Sequence, residues 1–199
     1  MAPLFYRRNP AGLPEGWVDT VRHTLAYLGP RVQATRMVRD YVTGYYAPAA
    51  ASSRAVTGDP TVAKGLAAWK DQVRAAWPDV RVLTVDTSGI GTEPSLGNVM
   101  TVRTHCVLGG LAPADVIVQA VIGRVDAIED LHDIDVVEMG FVDALDTGGA
   151  AGTDAPDAVY RYEVALTLAR SGPVGYTVRI LPRHDLLASC AELGLVSTA

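Results

Sequence analysis

The sequence predicts an α+β protein: an N-terminal helical segment over residues 1–78, then an antiparallel β-sandwich of the immunoglobulin-like kind over residues 79–199. Three observations predict it. Apolar residues recur at spacings of three and four up to Trp77, and at every second position after Asp79. The alternating stretches are joined by Gly-, Pro- and Asp-rich turns that leave no room for crossover helices, which favours antiparallel strands with one wet face. Charge changes with the period: residues 1–78 hold 10 Lys or Arg against 5 Asp or Glu, a balance of +5, whereas residues 79–199 hold 7 against 17, a balance of −10. The acidic half is one candidate neighbour for the basic half. Nucleic acid is a poorer one, because Arg31, Arg36 and Arg39 are spread around a helix of otherwise aliphatic and aromatic positions.

In chain order, Pro14-Glu15 opens a helix carrying Trp17, Val18, Val21, Leu25 and Leu28 on one side, closed by Gly29 and Pro30. A second helix has Pro30 in its first turn and Met37, Val38, Tyr41, Val42 and Tyr45 on one face, and it ends before Pro48. Residues 47–57 are small and polar, and read as a surface loop or extended bridge. Asp59 and Pro60 read as an N-cap followed by proline at N1. Val62, Leu66, Trp69, Val73 and Trp77 then follow at helical spacing, and Pro78 stops the helix. The predicted strands are 81–85, 99–108, 116–123, 136–142, 160–168 and 174–180. Three helices bearing Trp17, Trp69, Trp77, Tyr41, Tyr45 and Tyr46 have more apolar surface than a closed bundle of three shows, so a missing partner is expected.

With 49% hydrophobic and 20% charged residues, the 199-residue chain has material for a core and is not of disordered composition. It has no apolar run of the ~18 residues that span a bilayer, and Arg7 and Arg8 are not followed by the apolar stretch of a leader. The expected location is the cytoplasm. Cys106 and Cys190 are far apart, so reduced thiols are expected.

Candidate chemistry is sparse. Val85-Asp86-Thr87-Ser88-Gly89 and Leu145-Asp146-Thr147-Gly148 resemble the loops that present the paired carboxylates of aspartic proteases. They lie 60 residues apart, too close for a lobe between them, and Asp-Thr-Gly is an ordinary strand exit. His132, Asp133 and Asp135 read as a solvated turn before a strand rather than metal ligands. His23, His105 and His184 have no Ser or Cys at a recognisable spacing, and Cys106 alternates with core positions. Gly89, Gly91 and Gly97 precede a strand and no lysine follows them, so they do not form a phosphate loop. No catalytic, cofactor-binding or metal-binding residue is assigned.

The run Pro3-Leu4-Phe5-Tyr6, Gly16-Trp17-Val18, Val21-Arg22-His23, Leu28-Gly29-Pro30, Arg36-Met37-Val38-Arg39-Asp40-Tyr41 and Tyr45-Tyr46-Ala47-Pro48 resembles the end of the catalytic region in bacterial α-glucan phosphorylases. The resemblance is strongest to the long actinobacterial type. The ending, from Gly175-Tyr176-Thr177-Val178-Arg179 through Pro182-Arg183-His184 to Ala191-Glu192-Leu193-Gly194-Leu195-Val196, is similar to the ending of those chains. The resemblance implies that residues 1–78 complete a catalytic domain of the GT-B type and that residues 79–199 are an appended sandwich. It also implies pyridoxal phosphate on a lysine of the full-length enzyme, with inorganic phosphate attacking glycogen or maltodextrin. Here the lysines are Lys64 and Lys70, outside any such motif, so no cofactor residue is carried over. The implied partner is the rest of the catalytic region, with a homo-oligomer also open, and no nucleic acid or membrane. A free-standing binding or assembly module is the alternative, and such a module would bury Trp17, Trp69 and Trp77 within itself. In the β half, alternation turns Tyr160, Tyr162 and Tyr176 inward and leaves Phe141, a weak sugar platform, so the sandwich is expected to brace rather than hold glucan.

Overall fold

The first long helix opens behind a turn built on Asn9, whose Oδ1 accepts from the amides of Ala11 and Leu13 at 3.0 and 2.9 Å while Nδ2 donates to Glu15 at 2.8 Å. The computed structural model describes residues 2–91, 95–126, 130–145, 158–170 and 172–199. They fall into two units, Met1–Ala51 and Ser52–Ala199.

The first unit is helical: α1 (Ala2–Tyr6), α2 (Glu15–Val32) and α3 (Ala34–Tyr41), then a π-helical turn over Val42–Tyr46 that runs into α4 (Ala47–Thr57). Two expectations are corrected here. Helix α2 continues through Gly29 and Pro30, and the break falls at Gln33, which is extended (φ −67°, ψ 139°). A proline in a helix's last turn costs a single backbone bond, which α2 tolerates. Residues 47–57 are helix rather than loop, because Ala47, Ala49, Ala50 and Ala51 are strong helix formers. The intervening wide turn has a local cause. Thr43 Oγ1 donates to Arg39 O at 2.8 Å, competing for that carbonyl, and the Ala47 amide reaches back five residues to Val42 O. Pro48, with no N–H to give, sits just past it.

The second unit is built on α5 (Pro60–Ala76) and, among the described residues, eight strands. Asp59 caps α5 as expected, its Oδ1 accepting from the Thr61 amide at 2.8 Å and the Thr61 hydroxyl at 2.7 Å, and Pro60 follows at N1. A 3₁₀ turn over Trp77–Asp79 leads into β1 (Val80–Ser88). The rest are β2 (Val99–Leu108), β3 (Val116–Val125), β4 (Leu131–Glu138), β5 (Gly140–Leu145), β6 (Val159–Thr167), β7 (Val174–Pro182) and β8 (Ser197–Thr198). They form two antiparallel four-stranded sheets, ordered β1-β2-β6-β5 and β4-β3-β7-β8.

The strand expected over 136–142 is two strands in different sheets. The chain crosses at Met139, which is buried and donates its amide to Val118 O at 2.8 Å, and Gly140 then starts β5. Two hydrophobic runs separated by a buried methionine have the period of one strand, so alternation alone does not reveal the crossing. At the opposite end of β2, Gly109 has φ +61°, and a Cβ there would lie 2.5 Å from Ala76 O. Only glycine allows the β2 exit so close to the end of α5.

The inward faces of both sheets close one core around Val102, Cys106, Leu108, Val118, Tyr160 and Ile180. Helix α5 adds Val73 to that core and the turn after it adds Trp77, with Leu66 also buried. Its other anchor is polar. Trp69 Nε1 donates to Asp115 Oδ1 at 2.7 Å, its ring lies 4.6 Å from that of His184, and Lys70 Nζ meets Glu192 Oε1 at 2.7 Å. Two of the three tryptophans expected to await a partner are thus housed by the sandwich: its open rim between β2, β3 and β7 accepts the helix that precedes it.

Candidate functional site

The residues with chemical potential in the sequence are dispersed by the fold. Asp86 is exposed on β1 opposite Arg103 of β2, on the outer face of its sheet, while Asp146, Thr147 and Gly148 lie outside the described residues. His132, Asp133 and Asp135 belong to β4 rather than to a turn before it, because the strand already begins at Leu131, ahead of the expected start at 136. His132 Nε2 pairs with Asp126 Oδ2 at 2.6 Å, which raises its pKa above the ordinary imidazole value, and Asp135 pairs with Arg170 at 2.8 Å. Among the described residues no cluster of three or more metal-ligating side chains occurs. His23 stacks on Tyr27, His105 Nδ1 lies 2.9 Å from Thr84 Oγ1, and His184 Nδ1 accepts from the Leu186 amide at 3.1 Å. Lys64 is exposed on α5, where Lys70 is held by Glu192. Burial pushes the Cys106 thiol up to about 12 and the Tyr162 phenol up as well, so neither ionises near neutral pH.

Across the outer face of the β1-β2-β6-β5 sheet runs a lattice of ion pairs. Arg103 Nε meets Glu163 Oε1 at 2.6 Å, Arg161 NH2 meets Asp143 Oδ2 at 2.6 Å, and Arg161 Nε lies 3.7 Å from Glu163. The hydrogen bond from Arg103 holds the Glu163 carboxyl below its usual range. Cross-strand neighbours offset one another's charge here, so the lattice stiffens the sheet.

Two other features are open to partners. The first is the apolar face of the first unit. None of the residues of α2, α3 or the π-helical turn is buried, although they carry Val21, Leu25, Leu28, Met37, Val38, Tyr41, Tyr45 and Tyr46. Tyr45 and Tyr46 are 68% and 65% exposed. Arg31 lies over the Tyr27 ring at 4.0 Å and His23 stacks below it at 5.8 Å, so α2 presents a column of planar groups at i, i+4 and i+8. Trp17 is half-buried, edge-on to Phe5 at 5.9 Å.

The second is a cavity of about 380 Å³ at one end of the sandwich. Met100 and Leu168 form its base, with Leu96, Val174, Arg170 and Tyr176 around them. Sequence alternation puts Tyr160, Tyr162 and Tyr176 on inward faces. The first two are buried at 2% and 3% exposure, but Tyr176 is 37% exposed. Its inward register, opposite Ile122, is as expected. Its burial is not: Tyr176 lies at the end of the sandwich, and among the described residues none covers the ring. Phe141, 50% exposed, packs edge-on to Tyr162 at 5.6 Å beside the core. The cavity leaves no trace in a linear pattern, since its lining comes from five separate stretches of chain.

Among the described residues no helix is long and apolar enough to cross a membrane. The family described as glycogen phosphorylase C-terminal domain matches residues 77–199. Glycogen phosphorylase of Mycobacterium tuberculosis (strain CDC 1551 / Oshkosh) is 46% identical over 203 residues, covering 100% of this chain and 22% of its own length. That of Mycobacterium bovis is 45% identical over the same span, again 22% of its length. Maltodextrin phosphorylase of Thermococcus litoralis is 28% identical over 188 residues, covering 90% of this chain and 20% of its own. No solved structure matches the chain. The chain thus spans about a fifth of the length of the curated relatives it matches, and it belongs to the glycogen phosphorylase family, whose C-terminal portion it carries.

Proposed function

We propose that this chain is the non-catalytic C-terminal part of an α-1,4-glucan phosphorylase, an enzyme that releases glucose 1-phosphate from glycogen or maltodextrin with inorganic phosphate. In this reading residues 1–78 complete the catalytic region as the closing helices of a GT-B-type domain. Residues 79–199 form the appended sandwich, and pyridoxal phosphate, phosphate and glucan chemistry belong to the rest of the enzyme in the cytoplasm. The sandwich is immunoglobulin-like, a reading supported by its strand order: first, second, sixth and fifth strands in one sheet, and fourth, third, seventh and eighth in the other.

The observation that carries the proposal is the unburied apolar face of α2, α3 and the π-helical turn. A monomer rarely leaves so contiguous an apolar surface to water, and the aromatic and arginine groups on it are the types enriched at interface centres. Its occupant is the remaining four-fifths of the phosphorylase polypeptide, and a second copy of the assembled enzyme is the further partner open to the sandwich. The free-standing module has one observation in its favour, the housing of Trp69 and Trp77 within the second unit. It gives no account of the first unit's exposed face.

Complementation tests the proposal. The chain is mixed with Mycobacterium tuberculosis glycogen phosphorylase truncated to remove the matching segment. The expected result is a stable complex with phosphorolytic activity that neither part has alone, abolished by Tyr45→Asp with Tyr46→Asp. Absence of a complex, or a complex indifferent to that double substitution, overturns it.

A further inference from the structure

We propose that the cavity at the end of the sandwich is a second, non-catalytic saccharide site, taking the end of an α-glucan chain with one pyranose face against Tyr176. This rests on reading the chain as part of a glucan phosphorylase, and it assigns the sandwich a ligand of its own.

The cavity is the right size and preformed. Its volume of about 380 Å³ falls within the range that holds small ligands. One wall is the turn at Ser95–Asn98, closed by the Ser95 amide donating to Asn98 Oδ1 at 2.7 Å. That wall is tied to the end of β6 by Gly97 N to Leu168 O and Leu168 N to Asn98 O, both 2.9 Å.

The lining has two kinds of surface. Met100, Leu168, Leu96 and Val174 give an apolar base, and the partly exposed Tyr176 ring gives a flat one. At the rim, Arg170 donates to Asp133 O and pairs with Asp135 Oδ2 at 2.8 Å. A second, much smaller cavity is lined by Asp135 and shares Leu168, Arg170 and Val174 with the first. A guanidinium has five N–H donors, so among the described residues these two contacts leave others available, and the Asp135 carboxylate keeps acceptor capacity. Donor and acceptor therefore sit side by side with their charges already matched.

That combination selects a class of ligand. An anion meets an arginine that Asp135 has neutralised, and a cation meets a carboxylate that Arg170 has neutralised. A wholly apolar molecule strips water from both polar groups and returns no hydrogen bonds. A neutral molecule with an apolar face and a hydroxylated edge satisfies all of it: C–H groups pack on the Tyr176 ring and apolar base, and adjacent hydroxyls bridge Arg170 and Asp135. A pyranose is such a molecule.

Calorimetric titration of the 199-residue chain with maltotetraose, cellotetraose and indole tests this. The expected result is saturable binding of maltotetraose at millimolar concentration, weaker binding of cellotetraose and none of indole. Tyr176→Ala should weaken maltotetraose binding about tenfold or more, and Tyr176→Phe, which keeps the ring, far less. Leu96→Trp, which fills the cavity from an exposed position and removes nothing from the core, should block binding with an unchanged melting temperature. No binding of maltotetraose, binding indifferent to Tyr176→Ala and Leu96→Trp, equal binding of cellotetraose, or preference for indole each overturns the proposal. None of these outcomes touches the complementation assay, which reads Tyr45 and Tyr46, so the two readings fail separately.

Discussion

Residues 1–51 and 52–199 are both rich in apolar side chains, and they differ in where those side chains go. In the second unit, alternation gives β2, β3, β6 and β7 an inner face and a second sheet to meet it, and even α5 finds a place in that core. In the first, helices with equally clear apolar faces bury none of them. Amphipathic periodicity states that a face will be covered; it does not state by what. Whether the covering lies in the same stretch of chain is a property of topology, visible only once the sheets are assembled.

The comparison is broken most directly by large-to-small substitution. Trp77→Ala, in the sandwich core, should cost about 3–5 kcal/mol of stability in denaturant titration of the isolated chain, whereas Tyr45→Ala should change it by about 0.5 kcal/mol or less. A large loss from Tyr45→Ala would mean that the first unit packs its aromatic face internally. Hydrogen exchange sharpens the same contrast. Amides of α2 and α3 should exchange well before those of β2, β3 and β6, and equal protection would show the helices to be as firmly held as the sheets.

A smaller effect isolates the helix that belongs to the sandwich. Asp59→Ala removes the cap of α5 and should lower the unfolding midpoint of the second unit, with Asp59→Asn restoring it. The smallest is acid sensitivity. Lys70 holds the Glu192 carboxyl below its ordinary value of 4.5, and Arg103 does the same for Glu163. Folded-state values below the unfolded ones give stability that is present above about pH 4.5 and lost as pH falls through the folded values. Thermal melts between pH 6 and pH 3 should therefore show a decline that Glu192→Gln reduces; an unchanged pH dependence in that variant would show the contact to contribute nothing measurable.

Much of this architecture is legible in the residues themselves. Asp59-Pro60 marks the start of α5, the limits of β2 follow from alternation between Val99 and Leu108, and Tyr160 and Tyr162 point inward as their parity requires. Three features are not legible, each for a physical reason. The Ala-rich stretch at 47–57 has helix formers but no apolar period, so pattern gives it no identity. The crossing at Met139 preserves alternation while changing sheets. The exposure of Tyr176 depends on where the sandwich ends, which no residue of β7 encodes. The candidate saccharide site shares that last reason, lying at the end of strands whose own patterns are regular.

The crossing at Met139 also constrains how this molecule changes length. Strands β4 and β5 lie at the margins of opposite sheets and are joined through that one buried residue, whose amide is bonded to β3. Adding or removing one residue there exchanges the two sides of β5 relative to β6, turning Phe141 to the outer lattice and Asp143 toward the hydrophobic interior. The spacing from β4 to β5 is therefore fixed in a way that most hairpin connections are not. Descendants of this chain are free to change the identity of residue 139 among apolar side chains of similar volume, but not the number of residues around it.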